Sequence, residues 1–292
     1  MSGTALALVL AAAVLHATWN LAVKGATGLD QVGFVWLYVA ASAALWLPIG
    51  IVWVVATGEG PTWWWLVGSL VSALLHVVYQ LVLQRGYAAS DLNLVYPLAR
   101  GAGPMLTFVV AVVVLGQRPG AVDVTGVLAL IAGVLLISFG GRRSTRSRDA
   151  ERSGVVWGLA TGATIAAYTL WDSHSVNALA VPPMPYFVLG LLLQLPFLAV
   201  LLQRRRDPTP VRELWSTART PALVVAVFSP LAYLLVLRAM QLAPVALVAA
   251  ARESSIVVGA VFGWVVLHEP RPARRLVGAL VVLGGIGLIA VG

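Results

Sequence analysis

Cysteine is absent from the 292 residues. No disulfide can form and no thiolate is available for catalysis or metal binding, and cysteine usage says nothing of the compartment. Charge is also scarce, at 10% of residues, against about a quarter in soluble globular domains. Familiar chemical motifs are missing as well. The sequence contains no helix-borne zinc motif, no nucleophile elbow and no phosphate-binding loop, so ATP cannot drive the chain directly and no cofactor is expected. What is present is apolar: 60% of residues are hydrophobic and the mean hydropathy is +0.92. That excess is too large for a soluble core and implies an integral membrane protein.

A spanning helix needs about 20 largely apolar residues. Ten stretches qualify: 4–23, 32–56, 63–83, 92–115 and 121–140, then 154–178, 184–203, 221–240, 244–267 and 274–291. The connections are short, so the expected fold is an all-α integral membrane protein with ten transmembrane helices. The stretch 4–23 has no basic residues before it, and Lys24 follows it, which fits a retained helix better than a cleaved leader.

The net charge of +8 would raise the question of nucleic acid in a soluble protein. Here the basic residues fall in loops of one parity. Lys24, Arg85, the cluster Arg142, Arg143, Arg146, Arg148 and Arg152, the cluster Arg204, Arg205, Arg206, Arg212 and Arg219, and Arg271, Arg274 and Arg275 share one side. Only Arg118 and Arg238 face the other. Short-loop basic residues mark the cytoplasmic face, so both termini are expected outside a cytoplasmic membrane and no nucleic-acid partner is expected. The run "WWW" at 63–65 then lies at the outer interface, where aromatic rings favour the headgroups.

The chain repeats itself at about half its length. "GVLALIAGVLLI" (126–137) aligns without a gap with "GALVVLGGIGLI" (278–289), and "ATWN" (17–20) with "TLWD" (169–172). The same offset pairs Arg100 with Arg252, and "LGQ" (115–117) with "LHE" (267–269). Each repeat holds five segments. An odd number reverses the second copy, giving two inverted five-helix repeats with a substrate site near mid-membrane between them. The expected organisation is a first repeat over 1–141, a basic cytoplasmic linker over 142–152 and a second repeat over 153–292.

"LHATWN" in the first segment, "YPLARGAGPMLTFVVAVVVLGQRP" in the fourth and "RESSIVVGAVFGWVVLHEP" in the ninth carry a family resemblance. With five plus five segments and an Arg-rich central loop, the chain resembles the drug/metabolite transporter superfamily, specifically proteins with two EamA domains. The resemblance spans essentially the whole chain and implies a membrane transporter, without naming a substrate. The small four-helix multidrug relatives use a glutamate in their first helix. This chain has Asn20 in the first segment and Asp172 in the sixth, so that mechanism does not carry over.

Charges survive in a membrane core only beside a cavity or a partner. Those present are Arg100, Asp172, Arg252 and Glu253, with His16, Asn20, His76, Gln80 and His174 as polar neighbours and Tyr79, Tyr96, Tyr168 and Tyr233 adding hydroxyls. Arg100 stands among Pro97, Gly101, Gly103 and Pro104, which predicts an interrupted helix at the binding site. Arg252 and Glu253 project about 100° apart on a helix, so each needs its own partner: Asp172 for Arg252 and Arg100 for Glu253. The four charges sum to zero, which favours a zwitterionic cargo. Substrate contact is expected from Arg100, Arg252, Glu253, Asp172, Trp19, Asn20, Tyr79, Tyr96 and Trp171, and proton relay from Glu253, Asp172, His16 and His76. Trp19 and Trp171 read equally well as packing residues. Gly278, Gly284, Gly285 and Gly287 read as close helix contacts.

The reading that gathers most of these features is a secondary active transporter, an exporter or exchanger of a small polar or amphipathic metabolite. Its partners are that molecule, protons as a candidate coupling ion, and the lipid bilayer, with the chain acting as a monomer or homodimer. An accessory or scaffold membrane protein has no need of repeat-matched buried arginines. An intramembrane lipid-modifying enzyme needs an acid/base or metal cluster that the scattered histidines do not provide.

Overall fold

The computed structural model describes residues 1–24, 30–90, 92–138, 148–205, 209–265 and 273–292. Helices follow one another: α1 (Gly3–Lys24), α2 (Gln31–Thr57), α3 (Trp63–Ala89), α4 (Leu92–Val113), α5 (Ala121–Ser138), α6 (Arg148–Asn177), α7 (Pro183–Gln203), α8 (Val211–Leu242) and α9 (Val245–Ala251). A 3-10 turn (Arg252–Ser254) leads into α10 (Ser255–Val265), and α11 (Ala273–Val291) follows. Among the described residues there is no strand. Seven runs among the described residues are long and apolar enough to cross a membrane: α1 to α4, α7, α8, and the stretch Val245–Phe262 that joins α9 to α10. The helices α5 and α11 are apolar but shorter. The expected basic residues Arg142, Arg143, Arg146, Arg206 and Arg271, and the repeat partner 267–269, lie outside the described residues.

Local chemistry sets several of these ends. The Asp30 carboxylate accepts from the backbone N–H groups of Val32 at 3.1 Å and Gly33 at 3.3 Å, filling donors that the first turn of α2 leaves open. Gly58, at φ +68°, closes the helix with its N–H on the Val54 carbonyl. At the start of α3, Trp63 and Trp64 are exposed while Trp65 is buried.

Two helices begin earlier than the apolar stretches. The first three turns of α8 carry Arg212, Glu213 and Arg219, yet Leu214, Ala218 and Ala222 are buried against Phe34 and Leu37 of α2. An i, i+4, i+8 stripe seats a charged helix on its neighbour. The other early start is α6, which opens at Arg148.

The expected interruption of α4 does not occur. The helix runs through Pro97 and Pro104. Its glycines serve close packing instead, because a Cβ at Gly101 would meet Leu135 at 2.7 Å and one at Gly103 would meet Ile165 at 2.8 Å. The break lies in the other half, at the turn Arg252–Ser254. Three residues per turn separate neighbouring side chains by about 120° instead of 100°, which spreads Arg252 and Glu253 toward different helices.

The neighbours of each helix form an ordered pattern. α1 packs on α8 and α3 on α6; α2 packs on α7; α2 also meets α8, as α3 meets α7; α4 packs on α6, as α1 does on α10; and α5 packs on α11. Exchanging the first five segments for the last five maps this pattern onto itself. The α5–α11 contact is the tightest. A Cβ at Gly126 would lie 2.8 Å from the Gly285 carbonyl oxygen, and one at Gly133 would lie 2.8 Å from that of Gly278. Position rises along one helix as it falls along the other, so the two run antiparallel, backbone against backbone. Gly284 and Gly287, expected to make the same contact, have nothing within 4 Å of a Cβ; only Gly278 and Gly285 of that set face the partner.

Candidate functional site: a tyrosine-lined cavity with two arginines

Helical periodicity gathers polar and aromatic residues onto one stripe of each inner helix. On α3 the stripe is Ser72, His76, Tyr79, Gln80, Gln84 and Tyr87; on α1 it is His16, Trp19 and Asn20; on α2 it is Gln31, Phe34, Tyr38 and Ser42. The spacings of three and four residues put each set on one face. These stripes, with parts of α4, α6, α7 and α8 and with Arg252, enclose a cavity of about 560 Å³. That lies within the range of small-molecule sites, about 300–1,000 Å³.

Its wall has an unusual aromatic composition. All seven tyrosines of the chain line it, from six different helices, whereas Trp19 is the one tryptophan among the described residues that does. The cavity reaches the ends of α1, α2 and α3 at Val23, Gln31 and Tyr87. At its other end the lining stops at Ala12, Tyr186, Ala232 and Val236, which belong to the largest apolar cluster of the bundle. Beside the end marked by Val23, Gln31 and Tyr87, Arg205 at the close of α7 pairs with Asp30 at the start of α2.

Charged groups stand in two arrangements. Arg100 on α4 places Nε 3.1 Å from Glu253 Oε2, with 12% and 5% of the two side chains exposed. The N–H is not aligned on that oxygen, so the contact is an ion pair without a formal hydrogen bond. Arg100 Nη2 donates to Ser255 Oγ at 3.0 Å. Arg252 Nη2 donates to the Tyr168 hydroxyl at 3.1 Å. Each guanidinium also lies over a ring, Arg100 over Tyr96 at 5.8 Å and Arg252 over Tyr168 at 6.0 Å, within cation–π reach.

The second arrangement surrounds Asp172, which is fully buried. Ser72 Oγ donates to it at 2.7 Å, and the hydroxyls of Tyr186 and Tyr233 donate to it as well. His76 connects the two arrangements. Its Nδ1 lies 2.9 Å from the Ser72 carbonyl oxygen, and its ring stacks on Tyr168 at 4.3 Å. A chain of contacts therefore runs Arg252, Tyr168, His76, Ser72, Asp172 across α3, α6 and the 3-10 turn, polar at each step except the ring stack of Tyr168 on His76.

Trp19, Asn20, Tyr79, Tyr96, Arg100, Arg252, His16 and His76 come together in the cavity wall. Glu253 and Asp172 do not line it; they stand one layer behind, holding residues that do. Trp171 lies away from it, its indole N–H donating to the Gly68 carbonyl at 2.9 Å in the α3–α6 interface. The expected pair of Glu253 with Arg100 is present. The expected pair of Arg252 with Asp172 is not, because three hydroxyls occupy the Asp172 carboxylate. Sequence reasoning passed over Tyr38, Tyr87, Tyr186, Ser72 and Ser255. The polar stripe at helical spacing on α3 was the available signal; Ser72 and Ser255 carried none that distinguished them from packing serines.

Residues 152–291 match the EamA-like transporter family. One solved crystal structure superposes on the chain with a TM-score of 0.82 at 14% identity, covering 100% of this chain and 98% of that one. At that identity the likeness speaks for the fold alone. No curated protein matches the sequence. Residues 152–291 thus form an EamA-like transporter domain, and with its apolar helices the chain is a multi-pass membrane protein of the drug/metabolite transporter kind.

Proposed function

We propose that the protein is a secondary active transporter, an exporter or exchanger of a small polar or amphipathic metabolite, working by alternating access around the central cavity. The repeats are 1–141 and 153–292, ten spans in two inverted halves joined by the basic linker 142–152. The observation that carries this reading is a polar cavity walled by both halves and sealed at one end by an apolar cluster. The exchange-symmetric neighbours and the antiparallel α5–α11 contact support the inverted repeat. In such a fold, rocking one half against the other opens the sealed end and closes the mouth. With the basic loops cytoplasmic, both termini lie outside the cell membrane and the cavity mouth faces inward. Arg100 and Arg252 hold the cargo, Trp19, Asn20, Tyr79 and Tyr96 shape the space around it, and Glu253 and Asp172 orient the groups that touch it. His16 and His76 are the cavity-wall groups suited to carry a coupling proton.

Proteoliposomes loaded with a cell-derived extract of small metabolites test this reading. Solutes leaving them are compared with solutes leaving vesicles that hold no protein. Selective loss of one or a few small polar or amphipathic solutes is expected. Identical efflux from both vesicle populations would mean that the chain is an accessory membrane protein.

A further inference from the structure

The equal count of two arginines and two carboxylates suggests a neutral site suited to zwitterions. The geometry distributes those charges unevenly. Neither carboxylate is in the cavity wall: Asp172 is enclosed by three hydroxyl donors and Glu253 lies against Arg100. Both guanidinium groups do line the wall. Arg100 is engaged with Glu253 and Ser255. Arg252 has the Tyr168 hydroxyl and no carboxylate within ion-pair distance among the described residues. The local set of Arg100, Arg252 and Glu253 thus carries one excess positive charge, and the part of it left for a ligand is the planar fork of Arg252. An arginine in that state suits a carboxylate or other oxyanion. Seven tyrosines line the remaining wall; Tyr168 and Tyr186 are almost fully buried and the Tyr168, Tyr186 and Tyr233 hydroxyls are already engaged, so the ring surface that suits a flat apolar body with few polar groups comes chiefly from Tyr38, Tyr79, Tyr87 and Tyr96. An ammonium group would meet the excess positive charge and find no carboxylate in the wall among the described residues.

We infer that the cargo of this cavity is an organic monoanion with a flat, ring-sized body, its anionic group held by Arg252 and its body stacked among the tyrosines. The inference rests on the transport reading only for the word cargo; the binding site stands on the cavity itself.

Three ligands that share one ring separate the alternatives: indole-3-acetate (anion), tryptophan (zwitterion) and tryptamine (cation). Hexanoate supplies the anion without the ring. Binding to the purified full-length protein is read as an upward shift in melting temperature with ligand concentration. Indole-3-acetate is expected to bind at least about tenfold more tightly than tryptophan, tryptamine or hexanoate. Arg252→Gln is expected to erase that preference. Arg252→Lys keeps the charge and loses the fork, and is expected to bind indole-3-acetate several-fold more weakly; it decides the matter if the Gln variant does not fold. Equal or tighter binding of tryptamine or tryptophan overturns the charge class, and equal binding of hexanoate overturns the flat body. Binding of indole-3-acetate that is unchanged in Arg252→Lys overturns the role of Arg252. Absence of any shift with all four ligands overturns the proposal as a whole. None of these results depends on flux, so a protein that binds the anion and moves nothing refutes the transport reading alone.

Discussion

Asp172 shows how this membrane protein keeps a carboxylate in its interior. An unpaired charge at that depth costs several kcal/mol, and here the compensation comes from hydroxyls on three other helices, Ser72 of α3, Tyr186 of α7 and Tyr233 of α8. Replacing it with Asn keeps the shape but turns one acceptor oxygen into an NH2 group facing hydroxyl donors. Asp172→Asn is therefore expected to lower stability by about 1–3 kcal/mol, read as a lower melting temperature in detergent. Ser72→Ala, which removes one donor of the three, is expected to cost less, about 1 kcal/mol. A melting temperature unchanged by Asp172→Asn would mean that the hydroxyl cradle contributes nothing. The charges themselves were legible in the sequence because an ionised residue in an apolar run is conspicuous. The Arg100–Glu253 pair was legible too. The hydroxyl cradle was not, since its donors come from distant helices at no fixed spacing and serine and tyrosine in a span read equally well as packing.

At the scale of helices, apolar run length located most of the bundle and missed where its charged extensions begin. The first turns of α8 look like loop by composition, but the stripe Leu214, Ala218, Ala222 makes them helix. Proline and glycine around Arg100 suggested a break, and packing against Leu135 and Ile165 used those small residues without one. The sequence repeat between 126–137 and 278–289 proved informative about contact, because its glycines face one another in α5 and α11. Gly133→Ala would press a Cβ to 2.8 Å from both the Gly278 carbonyl oxygen and the Val282 nitrogen. Both are backbone atoms and neither can rotate away. That substitution is expected to destabilise the protein by about 1–3 kcal/mol, whereas Gly284→Ala, with open space around it, is expected to leave the melting temperature unchanged. Equal effects of the two alanines would remove the glycine seam as the cause.

At the scale of the whole molecule, helices from both ends of the chain meet around a cavity that reaches one end of the bundle and stops at an apolar cluster at the other; under the proposed function they are two related halves. The arrangement explains why charge, hydroxyl and ring are concentrated in the interior while the outer surface is apolar enough for lipid. The proposed transport function predicts motion, because a cavity that reaches one end of the bundle can carry cargo across only if its two ends exchange roles. Ala12 lies where cavity and apolar cluster meet, lining the first and belonging to the second, and is 1% exposed. The native chain has no cysteine, so Ala12→Cys introduces a single reactive thiol. The deciding measurement is its reaction with a membrane-impermeant thiol reagent, applied separately to each face of sealed vesicles, with and without indole-3-acetate. The account predicts modification from both faces, with the ligand changing the ratio of the two rates. Modification confined to the face of the cavity mouth under both conditions would contradict it.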